Sequence, residues 1–124
     1  MIVGVGVDIT EIKRIEEAQA KRASFAHKVL TAQEYELYQK QSQKRQGQYL
    51  AGRFSVKEAY SKALGTGIGK TVSFMDLEVL NDDLGRPYFA KQPQSDCQAF
   101  VSISHTDSLV MTEVILERRQ EDGK

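Results

Sequence analysis

Ala51-Gly52-Arg53-Phe54-Ser55-Val56-Lys57-Glu58-Ala59-Tyr60-Ser61-Lys62-Ala63-Leu64-Gly65-Thr66-Gly67 is the stretch around which the chain is organised. On a wheel of about 100° per residue, Val56, Ala63, Tyr49, Tyr60, Leu64, Leu50 and Phe54 spread over a wide arc, broader than one core contact needs. The spacing predicts a long helix buried on two sides, stopped by the Gly65-Thr66-Gly67-Ile68-Gly69 run. Glu58 and Lys62 stand at i and i+4 and share the opposite face. Taken alone the pair has two readings: an ordinary surface ion pair, or a carboxylate and an ammonium that hold a cation and a phosphate.

Composition sets the outer limits. A chain of 124 residues makes one domain with a real core. Lys plus Arg equals Asp plus Glu at 17 each, so no global charge points to nucleic acid or an acidic membrane surface, and any electrostatic argument must be local. The single cysteine, Cys97, cannot form an internal disulfide, and no Cys and His cluster has metal-site spacing. Met1 to Val7 is too short for a signal peptide, lacks a basic leader and runs into Asp8; nothing approaches the ~20 apolar residues of a membrane helix. A soluble protein of the reducing cytoplasm, with no nucleic-acid or membrane partner, is expected.

Outward from the long helix, Ile2 to Ile9 is β-branched and apolar except for Asp8, which predicts a buried strand whose carboxylate needs a partner. Ile12, Ile15 and Ala18 recur at helical spacing, a second helical stretch covers about Ser24 to Leu30, and Thr31-Ala32-Gln33-Glu34 has the spacing of a capping box opening a third. Gln41 to Gln48 is polar and reads as a connection. Phe74 to Val79 and Pro87 to Ala90 read as strands around Asp82, Asp83 and Gly85. Ala99 to Ile103 and Val110 to Leu116 form a last hairpin, and Gln120 to Lys124 is expected to fray. The fold class is α+β.

Two glycine patterns are decoys. Gly65 to Thr71 suggests a phosphate-binding P-loop, but position 64, where a glycine is required, is Leu64, and the segment follows a helix instead of opening one. Gly4-Val5-Gly6 lies inside a strand and lacks the third glycine of a dinucleotide turn. Those two glycines are expected to permit close backbone packing.

Three segments act together: Val5-Gly6-Val7-Asp8-Ile9-Thr10-Glu11-Ile12; Arg53 to Lys62 with Gly65-Thr66-Gly67; and Ser102-Ile103-Ser104-His105-Thr106. In this order and spacing they resemble the small, single-domain 4'-phosphopantetheinyl transferases over almost the whole chain, the last few residues excepted. Where the broader superfamily has Trp four residues before the motif glutamate, this chain has Phe54, as is usual in the small class. The resemblance implies one domain over 1–124, frayed from about 119, with one long central helix packed on a small, largely antiparallel sheet. It also implies the reaction: the phosphopantetheine arm of coenzyme A passes to a serine hydroxyl of an acyl carrier protein, in support of fatty acid biosynthesis, and adenosine 3',5'-bisphosphate leaves.

Breaking a pyrophosphate calls for a hard cation, and magnesium prefers one or two carboxylates with phosphate and water. The family's metal ligands fall on Asp8 and Glu58. Lys62 would hold a phosphate and offset charge as the bridging oxygen leaves. Glu58, directly or through a metal-bound water, is the candidate base. The resemblance also assigns Arg45, Arg53, Ser61, Lys62, Gly65, Gly67, His105 and Thr106 to coenzyme binding. Arg53, with Lys44 and Arg45, would meet the 3'-phosphate; the plainer reading is that Arg53 and Lys57, at the edge of the apolar arc, snorkel to water. His27 and Cys97 are expected to be structural. Arg14, Lys21 and Arg22, on the first helix, form the basic patch on which the family docks its acidic carrier. The resemblance further implies a homotrimer with active sites between subunits. Rival readings are a non-catalytic binding module and a nucleotide hydrolase using the glycine run.

Overall fold

The computed structural model describes residues 1–69 and 71–120. Strand β1 (Ile2–Glu11) pairs antiparallel with β5 (Leu109–Arg118), and β5 pairs antiparallel with β4 (Cys97–His105), giving the order β1-β5-β4. Between β1 and the later strands run helices α1 (Ile12–Lys21), α2 (Ser24–Val29), α3 (Ala32–Lys40) and α4 (Gln43–Leu64). Strands β2 (Glu78–Asn81) and β3 (Pro87–Lys91) form a separate antiparallel hairpin, turned by Gly85 at φ +85°. The expected α+β class holds, but the strands divide into two small sheets instead of one.

Helix α4 lies across one face of the three-stranded sheet, and glycine decides how closely. A Cβ at Gly6 would stand 1.9 Å from the Ala59 carbonyl oxygen, and one at Gly4 would stand 2.1 Å from that of Ala63. Strand and helix therefore meet backbone to backbone, as the two strand glycines predict. On the sheet side, Val56, Ala59 and Tyr60 join Leu77, Val114 and Leu116 in one core cluster. On the other side, Leu50 and Ala51 join Ile12, Ile15, Val29 and Tyr38 in a second. Two-sided burial of α4 is what its wide apolar arc requires. The helix ends at Gly65, whose φ of +80° suits a residue without Cβ. Thr31 and Glu34 form the expected reciprocal capping box at α3.

Four expectations need correction. Gln43 to Gln48 belongs to α4, not to a connection: Gln, Lys and Arg are good helix formers, and the segment extends a helix held by packing further along. The 74–79 stretch is a 3-10 turn at Phe74–Asp76, capped by Ser73 and Asp76, followed by β2. β1 is buried on one face only; the odd-numbered Val3, Val5, Val7 and Ile9 are exposed. Arg53 and Lys57 do not snorkel, being 5% and 0% exposed. Lys57 Nζ donates to Glu34 Oε1 at 2.7 Å and to the carbonyls of Val29 and Phe74, while Glu34 Oε2 accepts the Val79 amide. The tail expected to fray from about 119 is still tied down at Arg119, whose amide donates to the Asp96 carbonyl at 2.9 Å, while residues 121–124 lie outside the described residues, as does Lys70 of the decoy motif.

Candidate active site

The even-numbered face of β1 that carries Gly4 and Gly6 also carries Asp8, so the close approach of α4 delivers this carboxylate to the helix. Ser55, Glu58 and Lys62, at i, i+3 and i+7, form the helix face that receives it. Asp8 Oδ2 accepts hydrogen bonds from Ser55 Oγ at 2.8 Å and Thr10 Oγ1 at 2.6 Å, and Oδ1 accepts from Lys62 Nζ at 3.0 Å. Because Ser55 gives its proton to Asp8, the Thr112 hydroxyl 2.8 Å away donates to Ser55. Asp8 is thereby fixed, while Lys62, also held by the Val7 carbonyl at 3.1 Å, keeps half its side chain in solvent. Glu58 lies within electrostatic reach of Asp8. Burial, and then the Asp8 charge, push its carboxyl above the ordinary glutamate value, while Lys62 and Arg14 pull it back.

The donor set can be tested against a cation. Among the described residues no cluster of three or more acidic, His or Cys side chains forms a metal cage. Two neighbouring carboxylates, Asp8 and Glu58, instead match the hard-oxygen, partly hydrated coordination that magnesium favours, one or two carboxylates completed by phosphate and water. The residues present fit the ion.

A second group assembles along the other edge of the sheet. Arg45, Arg53 and His105 line a cavity of about 130 Å³. It opens beside a wider groove of about 780 Å³ to which Lys13, Lys44, Arg45, His105 and Thr106 contribute. The Arg53 guanidinium lies 4.4 Å from the Tyr49 ring centre and donates from Nη2 to Asn81 Oδ1 at 2.6 Å. Its buried Nε has no partner, and among the described residues no carboxylate pairs with it. A desolvated cation facing a basic cavity makes an anion seat. The two groups are apart within one chain. Arg53 and Glu58 differ by five residues, about 140° around the helix, and β1 and β4 are the opposite edges of the sheet.

Other predicted residues are placed more plainly. Ser61 is buried and its hydroxyl donates to the Glu58 carbonyl at 2.7 Å. The Gly65 amide donates to the Lys62 carbonyl, and that of Thr66 to Ser61, so the Gly65 amide expected near a phosphate is taken by the helix cap. Gly67 follows in the same turn. Thr106 Oγ1 accepts the amides of Ser108 and Leu109 and shapes the β4–β5 turn. Arg14 and Lys21 are exposed on α1, whereas Arg22 is its C-cap rather than part of the helix. His27 stacks on Tyr35 at 4.0 Å and Cys97 is buried. The sequence reading missed Ser55, Thr10 and Thr112 around Asp8 and Tyr49 and Asn81 around Arg53. Only the need for an Asp8 partner signalled the first group.

Residues 4–114 match the family model of the 4'-phosphopantetheinyl transferase superfamily. The chain is 55% identical over 118 residues to the holo-[acyl-carrier-protein] synthase of Lacticaseibacillus casei, covering 95% of this chain and 94% of that protein. Its fold superposes with a TM-score of 0.88 and 44% identity on a crystal structure of a holo-(acyl-carrier-protein) synthase from Bacillus anthracis in complex with CoA (3',5'-ADP), covering 96% of this chain and 99% of that one. A Helicobacter pylori holo-[acyl-carrier-protein] synthase in complex with coenzyme A is similar at a TM-score of 0.79 and 28% identity, covering 91% and 99%.

Proposed function

The chain belongs to the 4'-phosphopantetheinyl transferase superfamily, and we propose that it acts there as a holo-acyl-carrier-protein synthase. It moves the 4'-phosphopantetheine group of coenzyme A onto a serine hydroxyl of apo acyl carrier protein and releases adenosine 3',5'-bisphosphate. The observation that carries this reading is the meeting of Asp8, Glu58 and Lys62 where α4 crosses β1. Residues 1–124 serve as one transferase domain. Fatty acid biosynthesis in the cytoplasm is the setting; among the described residues no helix is long and apolar enough to cross a membrane.

Asp8 and Glu58 would hold magnesium, which when bound neutralises pyrophosphate oxygens and draws charge from the breaking bond. Ser55, Thr10 and Thr112 orient Asp8. Glu58 takes the proton of the carrier serine, directly or through a water. Burial, and then the Asp8 charge, raise its carboxyl above the ordinary glutamate value, which makes it a stronger base than an ordinary carboxylate. The serine oxygen attacks the phosphorus that carries pantetheine, and the bridging oxygen leaves with adenosine 3',5'-bisphosphate. Lys62, half in solvent, can swing from Asp8 to that departing oxygen. Arg45, Arg53 and Lys44, with His105 and Thr106 at the rim, receive the 3'-phosphate. Arg14, Lys21 and Arg22 offer an exposed basic edge to an acidic carrier, and Arg14 lies close enough to Glu58 to act on its carboxyl.

The carboxylates and the anion seat face different edges of one chain, so a complete site takes them from two copies. The open face of the three-stranded sheet suits that assembly. Its cross-strand rows are Val5-Ile115-Phe100, Val7-Glu113-Ser102 and Ile9-Met111-Ser104. Val5, Val7, Ile9, Met111 and Phe100 are each at least 45% exposed, an apolar patch that a monomer would leave in water. A homotrimer with sites between subunits buries it.

The test is the intact mass of apo acyl carrier protein after incubation with this protein, coenzyme A and magnesium, the expected result being a gain of one phosphopantetheine arm. Asp8→Ala and Glu58→Ala should each give no gain. Lys62→Ala should lower kcat by roughly 10²-fold, as loss of an electrostatic donor does. No gain with the native protein would refute the activity; near-native turnover in either carboxylate variant would refute the metal assignment.

A further inference from the structure

Arg53 is held more elaborately than a coenzyme contact requires. Arg53 is only 5% exposed, yet among the described residues no carboxylate forms an ion pair with it, so its charge is not cancelled by direct contact in the resting chain. Two neutral groups hold its plane instead. The Tyr49 ring supports it from one turn earlier on α4, and Tyr49 is itself tethered by its hydroxyl to the Glu34 carbonyl. Asn81, the last residue of β2, accepts Nη2 at 2.6 Å. The Asn81 amide cannot turn freely, because its Nδ2 donates to the Gly85 carbonyl across the hairpin turn at 3.0 Å, which leaves only its oxygen toward Arg53. A carboxylate at 81 would pair with the arginine and cancel its charge; an amide fixes the geometry and leaves the full positive charge for the cavity. Nε itself is buried without a hydrogen-bond partner.

We propose that Asn81 and Tyr49 are positioning residues that hold Arg53 as a preformed, uncancelled cation for the 3'-phosphate of coenzyme A, and so set the chain's preference for coenzyme A over its 3'-dephospho form. The inference rests on the reading above that Arg53 meets that phosphate. The β2–β3 hairpin thereby becomes a specificity element, although its residues stand apart from the carboxylate centre in both sequence and space.

The experiment measures kcat and KM of the full chain with coenzyme A and with 3'-dephospho-coenzyme A, using apo carrier protein and magnesium, for the native protein and five variants. The native protein should prefer coenzyme A, and Arg53→Ala should lose that preference. Asn81→Ala should reduce it by about tenfold, through KM for coenzyme A rather than kcat, as loss of a hydrogen bond to a charged group does. Tyr49→Leu should reduce it by about fivefold, and Tyr49→Phe, which keeps the ring but loses the hydroxyl tether, should reduce it by less. Asn81→Asp keeps the size of the side chain should the alanine variant unfold. Its carboxylate should pair with Arg53 and lower the preference at least as far. If Arg53→Ala removes the preference while the Asn81 and Tyr49 variants keep it, the positioning role is overturned and the phosphate assignment stands. If Arg53→Ala keeps the preference, the phosphate lies elsewhere and both are overturned.

Discussion

Gly6→Ala tests the contact that creates the catalytic meeting point. The added methyl would lie 1.9 Å from the Ala59 carbonyl oxygen, 2.6 Å from the Ala63 amide nitrogen and 3.0 Å from the Ala59 carbonyl carbon. Each of these is backbone, so no side chain can swing aside, and the closest falls about 1.5 Å short of ordinary contact. Either β1 or α4 must shift, at a cost of about 3 kcal/mol, the upper end of overpacking penalties. The same shift carries Asp8, two residues on, away from Ser55 and Lys62, and misplacement by about 1 Å costs roughly 10²-fold in rate. Urea denaturation gives the stability change and the carrier mass assay the rate. Gly52→Ala is the comparison: nothing lies within 4 Å of its Cβ, so helix stability should rise by about 0.5–1 kcal/mol. A Gly6→Ala protein that loses less than about 1 kcal/mol and keeps native turnover would refute the backbone-contact argument.

The raised carboxyl of Glu58 carries a signed consequence. A fold that favours the protonated form gains that stability below the unfolded value of 4.5 and loses it as pH rises through the higher folded value, so ionised Glu58 destabilises the metal-free protein at neutral pH. Glu58→Gln should therefore match the native protein near pH 4 and melt higher at pH 7, with magnesium raising the melting point of the native protein only; a lower melting point at pH 7 without metal would contradict this. Lys57→Met strands the buried Glu34 carboxylate and should cost about 3–5 kcal/mol in chemical denaturation. Ile9→Lys, on the open sheet face, should leave a folded monomer in sedimentation and abolish transfer; a native-sized, active variant would rule out that face as the interface. Reversing Arg14 and Lys21 to Glu should raise KM for carrier protein and flatten its salt dependence while KM for coenzyme A holds, because exposed charges act over about a Debye length of ~10 Å at 0.1 M salt. Unchanged carrier kinetics would place docking elsewhere.

What the sequence determined by itself was the set of local relations. The helical period placed Glu58 and Lys62 on one face, the width of the apolar arc foretold burial on two sides, and Gly65 marked the stop. Gly4 and Gly6 announced close packing, and Asp8 in an apolar strand announced a partner. Each depends on neighbours within a turn or a strand, where spacing alone dictates geometry. Only the tertiary structure decided which partners arrive. Ser55 reaches Asp8 from 47 residues along the chain and is itself met by Thr112 from another strand, and Asn81 reaches Arg53 from 28 residues away. Lys57 and Arg53 at the edge of the arc looked ready to reach water. Whether a charge there is solvated or buried turns on whether another element brings it a partner, and Glu34 and the β2–β3 hairpin do. The same holds for β1: its odd positions Val3, Val5, Val7 and Ile9 are the more apolar face, yet they are the exposed ones, because α4 packs on the even face where Gly4 and Gly6 admit its backbone.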